Sequence, residues 1–141
     1  KEVTNQELLE LDVDVLVPAA LENQITEDNA GNIKAKLVLE LANGPVTPEA
    51  DETLEGNGVT AIPDVLANAG GVAVSYFEWV QNNYGYYWEE DDVLAQLEKR
   101  MVKGFNDIHR TVKEKDTSYR EAAFILAVER IVAAAKQRGV L

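Results

Sequence analysis

Three short aliphatic runs alternate with helix signals in the first half of this sequence, and each run stops at a turn that contains proline. The runs cover residues 13–17, 36–41 and 59–62, and they end at Pro18, at Asn43-Gly44-Pro45 and at Pro63. Short β-branched runs of this kind are typical of buried parallel strands. A strand, helix, strand, helix, strand order with short connections predicts a parallel sheet wound with right-handed crossovers. The pattern therefore predicts an α/β fold.

Helix signals lie before and between these runs. Leucines among acidic residues predict a short amphipathic helix over residues 4–11. Thr26 is expected to cap a helical turn that Gly31 ends. Thr47-Pro48-Glu49 combines an N-cap threonine, a proline at the first helical position and an acid in the first turn. It predicts a helix that ends at Gly56.

The second half of the sequence has the patterns of three helices. The first is expected after Asn68-Ala69-Gly70-Gly71, and the third begins with the capping-box pattern Ser118-Tyr119-Arg120-Glu121. The second carries apolar residues three or four positions apart, namely Leu94, Leu97, Met101, Phe105, Ile108 and Val112. The third is expected to bury Phe124, Val128, Ile131 and Ala135. We expect a half-sheet unit over residues 1–82 and a helical segment over 83–141.

Charge and composition exclude several classes of function. The chain has 141 residues, with 13 basic against 25 acidic side chains, and its net charge of −12 argues against nucleic acid as a partner. The absence of cysteine excludes thiol nucleophiles, thiolate zinc and iron–sulfur clusters, and it is compatible with a reducing cytosol. One histidine and no HExxH pattern argue against a zinc site, so no metal is expected. No apolar run reaches the roughly 18 residues of a membrane span, and no signal peptide is visible.

Small and polar residues follow each predicted strand, where open α/β sheets bind ligands. The carboxyl ends of parallel strands meet at one edge of a sheet and form a crevice there. Ala19-Ala20 follows the first strand, Asn43 the second and Asn68 the third. We therefore expect these residues to face one ligand. A purely structural turn is the alternative at 43–45, because Asn-Gly and Gly-Pro are turn formers.

Three further candidates have both a structural and a functional interpretation. Gly70-Gly71 before a helix allows either close approach of a ligand or loop packing. Ser75, one turn into that helix, is either a ligand-binding hydroxyl or a hydroxyl that bonds back to its own helix. His109 borders an apolar helix face, which favours a boundary residue over a ligand. No GxGxxG or P-loop pattern occurs, so the sequence has no phosphate-binding turn of its own.

Three long stretches together resemble the glutamate dehydrogenase family. They are Asp14-Val15-Leu16-Val17-Pro18-Ala19-Ala20, Ala42-Asn43-Gly44-Pro45-Val46-Thr47-Pro48-Glu49-Ala50-Asp51 and residues 62–82. The resemblance covers essentially the whole chain and corresponds to about the C-terminal third of such an enzyme. It implies the second half of a Rossmann-type cofactor domain, followed by helices that return toward a substrate domain.

The resemblance also implies an activity and a cofactor site. Members of this family oxidise glutamate to 2-oxoglutarate and ammonia by hydride transfer to NAD or NADP. By this resemblance Ala19 and Ala20 lie against the cofactor and Asn43 lies at the nicotinamide side. Asn68 is expected near both the nicotinamide and the substrate.

The implied substrate site lies on the helix that follows. Val72 and Ser75 are expected to shape the pocket for the glutamate side chain, and the Ser75 hydroxyl is expected to bind its distal carboxylate from the first helical turn. The family's catalytic lysine and aspartate belong to its substrate domain. No catalytic residue is therefore expected in this stretch, which should not turn over alone. A cytoplasmic homohexamer is the implied assembly.

Two other functions remain open at this point. A related amino-acid dehydrogenase with an apolar substrate would have no use for a hydroxyl at Ser75, and comparing leucine with glutamate as substrates tests it. A non-catalytic half-Rossmann module for binding or assembly is the other. It is consistent with the missing glycine turn and with a sequence that begins at Lys1 without Met.

Overall fold

The structure, a computed structural model, describes residues 2–140 of the chain. These residues form two compact units, 2–68 and 69–140. The first unit contains a small sheet with short helices, and the second consists of long helices.

Three parallel strands form the sheet of the first unit. They are β1 (Val15–Leu16), β2 (Leu37–Leu39) and β3 (Thr60–Ile62). The central strand β2 pairs with both neighbours, and Val38 lies opposite Leu16 on one side and Ala61 on the other. The predicted α/β class is confirmed. The paired segments are shorter than the aliphatic runs, because an apolar run does not by itself define which residues make ladder hydrogen bonds.

Local capping chemistry starts the helices of the first unit. Helix α1 (Asn5–Leu9) begins with a capping box in which Thr4 and Glu7 bond each other's backbone N–H groups. The predicted Thr47 cap is confirmed, since its Oγ1 accepts the Ala50 N–H at 3.3 Å at the start of α2 (Pro48–Gly56). A further helix, α3 (Asp64–Ala67), lies in the segment that the sequence predicted as a loop.

A hydrogen-bonded turn follows Thr26 as predicted, since the Thr26 carbonyl accepts the Asn29 N–H at 3.2 Å and the Ala30 N–H at 2.9 Å. The predicted end at Gly31 is wrong, because a 3₁₀ helix covers Ala30–Asn32. The side chain that bonds the backbone here is that of Asn29 rather than the predicted Thr26 cap. The side chain of Asn29 accepts the Thr26 N–H at 2.8 Å and donates to the Gln24 carbonyl at 2.9 Å. These two side-chain bonds satisfy backbone groups at the start of the turn, which helical hydrogen bonds would leave unpaired.

The core of the first unit lies around the central strand. Ile25, Val38 and Leu54 are fully buried and belong to one apolar cluster that also includes Ala30 and Ala50. A β2 buried between two strands explains why its sequence is almost continuously apolar.

The second unit consists of α4 (Ala69–Tyr84), α5 (Glu90–Lys115) and α6 (Tyr119–Gln137). Helix α5 packs against both of the others. Helix α4 buries Phe77 and Gln81, and both contact Trp88: the Phe77 and Trp88 rings lie 5.7 Å apart, and Gln81 Oε1 accepts the Trp88 N–H at 2.7 Å. No described helix has both the length and the apolar composition that a membrane crossing requires.

The apolar stripe predicted for α5 is confirmed only in part. Ile108 is buried and Met101 is half-buried, but Leu94 and Phe105 are exposed. Phe105 nevertheless stacks on His109, whose Nδ1 lies 2.6 Å from the Tyr119 hydroxyl. His109 is thus half-buried between two helices, as the boundary interpretation expects.

The buried face predicted for α6 is wrong. Phe124, Val128 and Ile131 are 60%, 56% and 68% exposed, and the buried residues are Ala122 and Ala123. The physical reason is that small residues allow α6 to approach α5 closely, which turns the larger apolar side chains away from α5. The Ser118 cap is confirmed, because its Oγ accepts the Glu121 N–H at 3.1 Å. The Glu121 carboxylate bonds the Thr117 hydroxyl.

One carboxylate joins α5 to α6. Asp107 is 8% exposed and bonds Lys103 Nζ at 2.8 Å, Arg110 Nη2 at 3.2 Å and Arg130 Nη2 at 2.7 Å. The hydrogen bond from Lys103, together with the positive charges of Lys103 and the two arginines, holds the pKa of Asp107 below its ordinary value, against the opposing effect of desolvation.

Candidate functional site

The carboxyl ends of β1 and β2 are joined directly by backbone hydrogen bonds. The Pro18 carbonyl accepts the Leu41 N–H at 3.0 Å and the Ala42 N–H at 2.9 Å. The turn that follows β1 therefore lies beside the turn that follows β2. Ala19 and Ala20, the two residues predicted against a cofactor, are exposed at this edge of the sheet.

Two asparagines meet at the same edge, although 25 positions separate them in the chain. Asn68 Nδ2 donates to Asn43 Oδ1 at 2.8 Å and more weakly to the Leu41 carbonyl at 3.4 Å. Asn43 is exposed and Asn68 is half-buried. With these bonds made, Asn43 Nδ2 and Asn68 Oδ1 remain to bind a ligand as a donor and an acceptor. The structure thus brings together the two residues that were predicted after β2 and β3.

The turn that carries Asn43 is strongly constrained by its backbone. Gly44 has a φ of +54°, a left-handed conformation that favours glycine. Its carbonyl accepts the Asn23 N–H at 2.9 Å, and the Pro45 carbonyl accepts the Gln24 and Ile25 N–H groups at 2.8 and 2.9 Å. The Asn43-Gly44-Pro45 segment is therefore a turn, as the structural interpretation expects, and it lies at the edge of the sheet that carries the candidate site.

Two carboxylates support this turn, and the sequence reasoning missed both. Asp64 Oδ2 accepts the Gly44 N–H at 2.8 Å, and Glu40 Oε2 accepts the Asp64 N–H at 3.2 Å. Glu40 is fully buried at the end of β2. A single acid at the end of an otherwise apolar run, and an acid directly after Pro63, were the available signals.

Val72 and Ser75, the residues predicted for the substrate pocket, lie in the second unit on α4, and both are exposed. Ser75 was expected on the first helical turn, and this is wrong. Helix α4 begins at Ala69, so Ser75 is its seventh residue and lies in the second turn. The N–H groups left free by the first turn belong to earlier residues.

The glycines at 70 and 71 are inside α4 rather than in a loop before it. A Cβ on Gly70 would make ordinary contacts at 3.7 Å with Leu97 and 3.8 Å with Met101, and a Cβ on Gly71 would meet nothing within 4 Å. The packing of the described residues therefore does not require glycine at either position. Among residues 2–140, no group of three or more His, Asp or Glu side chains could hold a metal ion.

Comparison with known proteins relates this chain to one family. Residues 1–139 match the family model for glutamate/leucine/phenylalanine/valine dehydrogenase. The chain is 56% identical over 137 residues to the cryptic catabolic NAD-specific glutamate dehydrogenase of Bacillus subtilis, which covers 97% of this chain and 32% of that protein. The chain thus spans about a third of the length of the curated relatives that it matches.

Solved structures support the same relationship. The chain is 49% identical to glutamate dehydrogenase from Peptoniphilus asaccharolyticus, with a TM-score of 0.84 over 89% of this chain and 32% of that one. It is 34% identical to hetero-hexameric glutamate dehydrogenase from Thermus thermophilus, with a TM-score of 0.93 over 99% of this chain and 34% of that one. The expected fold, a parallel half-sheet followed by C-terminal helices, is confirmed. The chain belongs to the glutamate/leucine/phenylalanine/valine dehydrogenase family.

Proposed function

We propose that the protein catalyses the reversible oxidative deamination of L-glutamate with NAD. The observation that carries the proposal is the pair of asparagine amides at the carboxyl edge of the sheet, where Asn68 Nδ2 lies 2.8 Å from Asn43 Oδ1. A relative at 56% identity that is named an NAD-specific glutamate dehydrogenase supports it. The α-carbon of glutamate gives up a hydride, for which the bound cofactor would be the acceptor, and the amino group gives up a proton, which leaves an imine. Water then hydrolyses the imine to 2-oxoglutarate and ammonia.

The cofactor site comprises Ala19, Ala20, Asn43 and Asn68, within the half-domain that we assign to residues 1–82. NAD supplies the hydride acceptor when it is bound. The free donor of Asn43 and the free acceptor of Asn68 are complementary to a carboxamide, which is the polar group of nicotinamide. The small side chains of Ala19-Ala20 allow a cofactor to lie flat against the edge. NAD is preferred over NADP here because the Bacillus subtilis relative is named as NAD-specific.

Three residues are proposed to bind the substrate, namely Val72, Ser75 and Asn68. In this proposal the Ser75 hydroxyl donates to the distal carboxylate of glutamate, and Val72 helps to shape the pocket for the glutamate side chain. The residues that exchange protons with the substrate come from a substrate domain, and none of them is assigned within these 141 residues. The 141 residues alone should therefore bind ligands without turning over.

The protein is further proposed to be a soluble homohexamer in the cytoplasm. The Thermus thermophilus structure is described as a hetero-hexamer, which supports assembly into hexamers, and a homohexamer is the simplest form for one kind of subunit. Light scattering of the purified protein measures the number of subunits, and cell fractionation tests the compartment.

The activity is tested by following NADH formation with the protein that carries this chain. Glutamate with NAD should give steady turnover, and glutamate with NADP should be much slower. Leucine in place of glutamate tests the apolar-substrate alternative, since faster turnover of leucine would contradict our proposal. Binding of NAD without turnover of either amino acid would favour the non-catalytic module.

A further inference from the structure

Asp64 links two parts of the candidate site. Its Oδ2 accepts the Gly44 N–H at 2.8 Å, which joins the turn after β2 to the start of α3. Its Oδ1 accepts the Val65 N–H at 2.6 Å, in the first turn of α3. Both carboxylate oxygens are thus engaged with backbone N–H groups, one on each side of the gap between the two segments.

The Asp64 backbone is itself held in place. The fully buried Glu40 side chain accepts the Asp64 N–H at 3.2 Å. Glu40 follows β2 directly, and its own N–H bonds the Ile62 carbonyl at 3.1 Å, so its position is set by the sheet. The chain of contacts runs from the sheet through Glu40 to Asp64 and then to Gly44.

Each end of this link is next to a site asparagine. Gly44 directly follows Asn43, and Asn68 directly follows the last residue of α3, with its N–H bonded to the Asp64 carbonyl at 3.0 Å. Moving either segment by about 1 Å would lengthen the 2.8 Å hydrogen bond between the asparagine side chains beyond a useful distance. Asp64 touches both segments through its side chain and its backbone.

We propose that Asp64 is a positioning residue, whose carboxylate sets the spacing between Asn43 and Asn68 and so the orientation of the nicotinamide ring. The effect on the nicotinamide ring rests on the proposed function. Gly44 makes this link possible because its left-handed backbone directs the N–H toward Asp64. A shift of the Asn43 and Asn68 side-chain amides should slow hydride transfer more than it weakens NAD binding. The reason is that the rate of transfer depends steeply on the geometry of the reacting groups.

The test compares Asp64→Ala, Asp64→Asn and the control Asp28→Asn in the protein that carries this chain. Asp28 is an exposed acid in the same unit, so its substitution removes the same charge away from the site. The alanine variant removes both acceptor oxygens, whereas the asparagine variant retains one. We measure kcat, KM for NAD and for glutamate, Tm, and crystal structures of the variants.

The expected result is a fall in kcat of about tenfold or more for Asp64→Ala, with KM for NAD changed much less. Asp64→Asn should recover part of that loss, and Asp28→Asn should match the wild type. A merely structural role would lower Tm without this split between kcat and KM. Wild-type kcat in a folded Asp64→Ala protein would overturn the inference.

The crystal structure of Asp64→Ala decides the case independently of activity, and Asp64→Val, which also lacks an acceptor oxygen, replaces it if the alanine variant does not fold. An Asn43–Asn68 separation that has lengthened past hydrogen-bond distance supports the positioning role. An unchanged separation overturns it. If the wild type binds NAD but oxidises no amino acid, the proposed function fails while this structural outcome still stands.

Discussion

Asn68 and Asn43 are joined by a hydrogen bond in which the Asn68 Nδ2 donates to the Asn43 Oδ1 at 2.8 Å. The second hydrogen of Asn68 Nδ2 points to the Leu41 carbonyl at 3.4 Å. Asn68 therefore acts as a double donor toward the segment that follows β2, whereas Asn43 acts as an acceptor. This difference in role makes the two asparagines unequal under substitution by aspartate.

Asn68→Asp should destabilise the fold more than Asn43→Asp. The first change removes both donated bonds and places a carboxylate oxygen next to the Leu41 carbonyl, a repulsion that rotation of Asn43 cannot relieve. Asn43→Asp, in contrast, keeps a side-chain oxygen that accepts the hydrogen bond from Asn68 Nδ2. The difference in unfolding free energy should be about 1–2 kcal/mol, measured by urea denaturation of each variant. Equal losses would show that the Leu41 contact contributes nothing.

Ser75→Ala should weaken glutamate recognition without affecting the fold. If the proposed function holds, loss of one hydrogen bond should reduce kcat/KM for glutamate by an amount equivalent to about 1.5–3 kcal/mol, because the distal carboxylate of glutamate loses a donor. Steady-state kinetics at varied glutamate measures it.

Ser118→Ala is the matched control for Ser75→Ala. Ser118 caps α6, and its Oγ accepts the Glu121 N–H at 3.1 Å. Its loss should cost about 1 kcal/mol of stability and leave KM for glutamate unchanged. A lowered Tm with unchanged KM for Ser75→Ala would assign Ser75 to the structure and not to the substrate pocket.

Thr47→Ala should destabilise the first unit, whereas Thr53→Ala in the same helix should not. The Thr47 hydroxyl accepts a free N–H at the start of α2, and its loss should cost about 1 kcal/mol. The Thr53 hydroxyl only donates to the Glu49 carbonyl, which already lies inside the helix, so its loss should stay within about 0.5 kcal/mol. Thermal denaturation of both variants compares them, and Thr47→Ser should restore the cap.

Asp107→Asn should lower the stability of the second unit at neutral pH and make it less dependent on pH in acid. The pKa of Asp107 is lower in the folded protein than its ordinary value of 3.8, chiefly because Lys103 donates a hydrogen bond to it. The carboxylate therefore stabilises the fold above that value, and this contribution is lost as the pH falls through the lowered pKa. We measure Tm from neutral pH down to about pH 2. The Tm values of the wild type and of Asp107→Asn should approach each other as the pH falls.

Glu114→Gln is the control on the same helix. Glu114 is exposed and lies 3.9 Å from Arg110, so its replacement should change Tm little at any pH. If the difference in Tm between the wild type and Asp107→Asn stays the same in acid, the stabilisation does not come from the ionised carboxylate.

Much of the fold was predictable because it depends on local chemistry. The aliphatic runs predicted the three strands, and Thr47 and Ser118 predicted two helix starts, since a cap needs only neighbours three residues away. The asparagines of the candidate site were also predicted, because a parallel sheet brings the ends of its strands to one edge. The short α3 was missed since a single helical turn has no periodicity to detect.

The sequence by itself determined the strand order along the chain, the capped helices and the residues placed at the edge of the sheet. Only the tertiary structure decided which groups are partners, such as the Asp64 carboxylate with the Gly44 N–H and the Asp107 carboxylate with Arg130. It also decided that α6 packs through Ala122 and Ala123 rather than through its larger apolar residues. The physical reason is that partners 20 or more positions apart depend on strand register and helix rotation, which no local pattern contains.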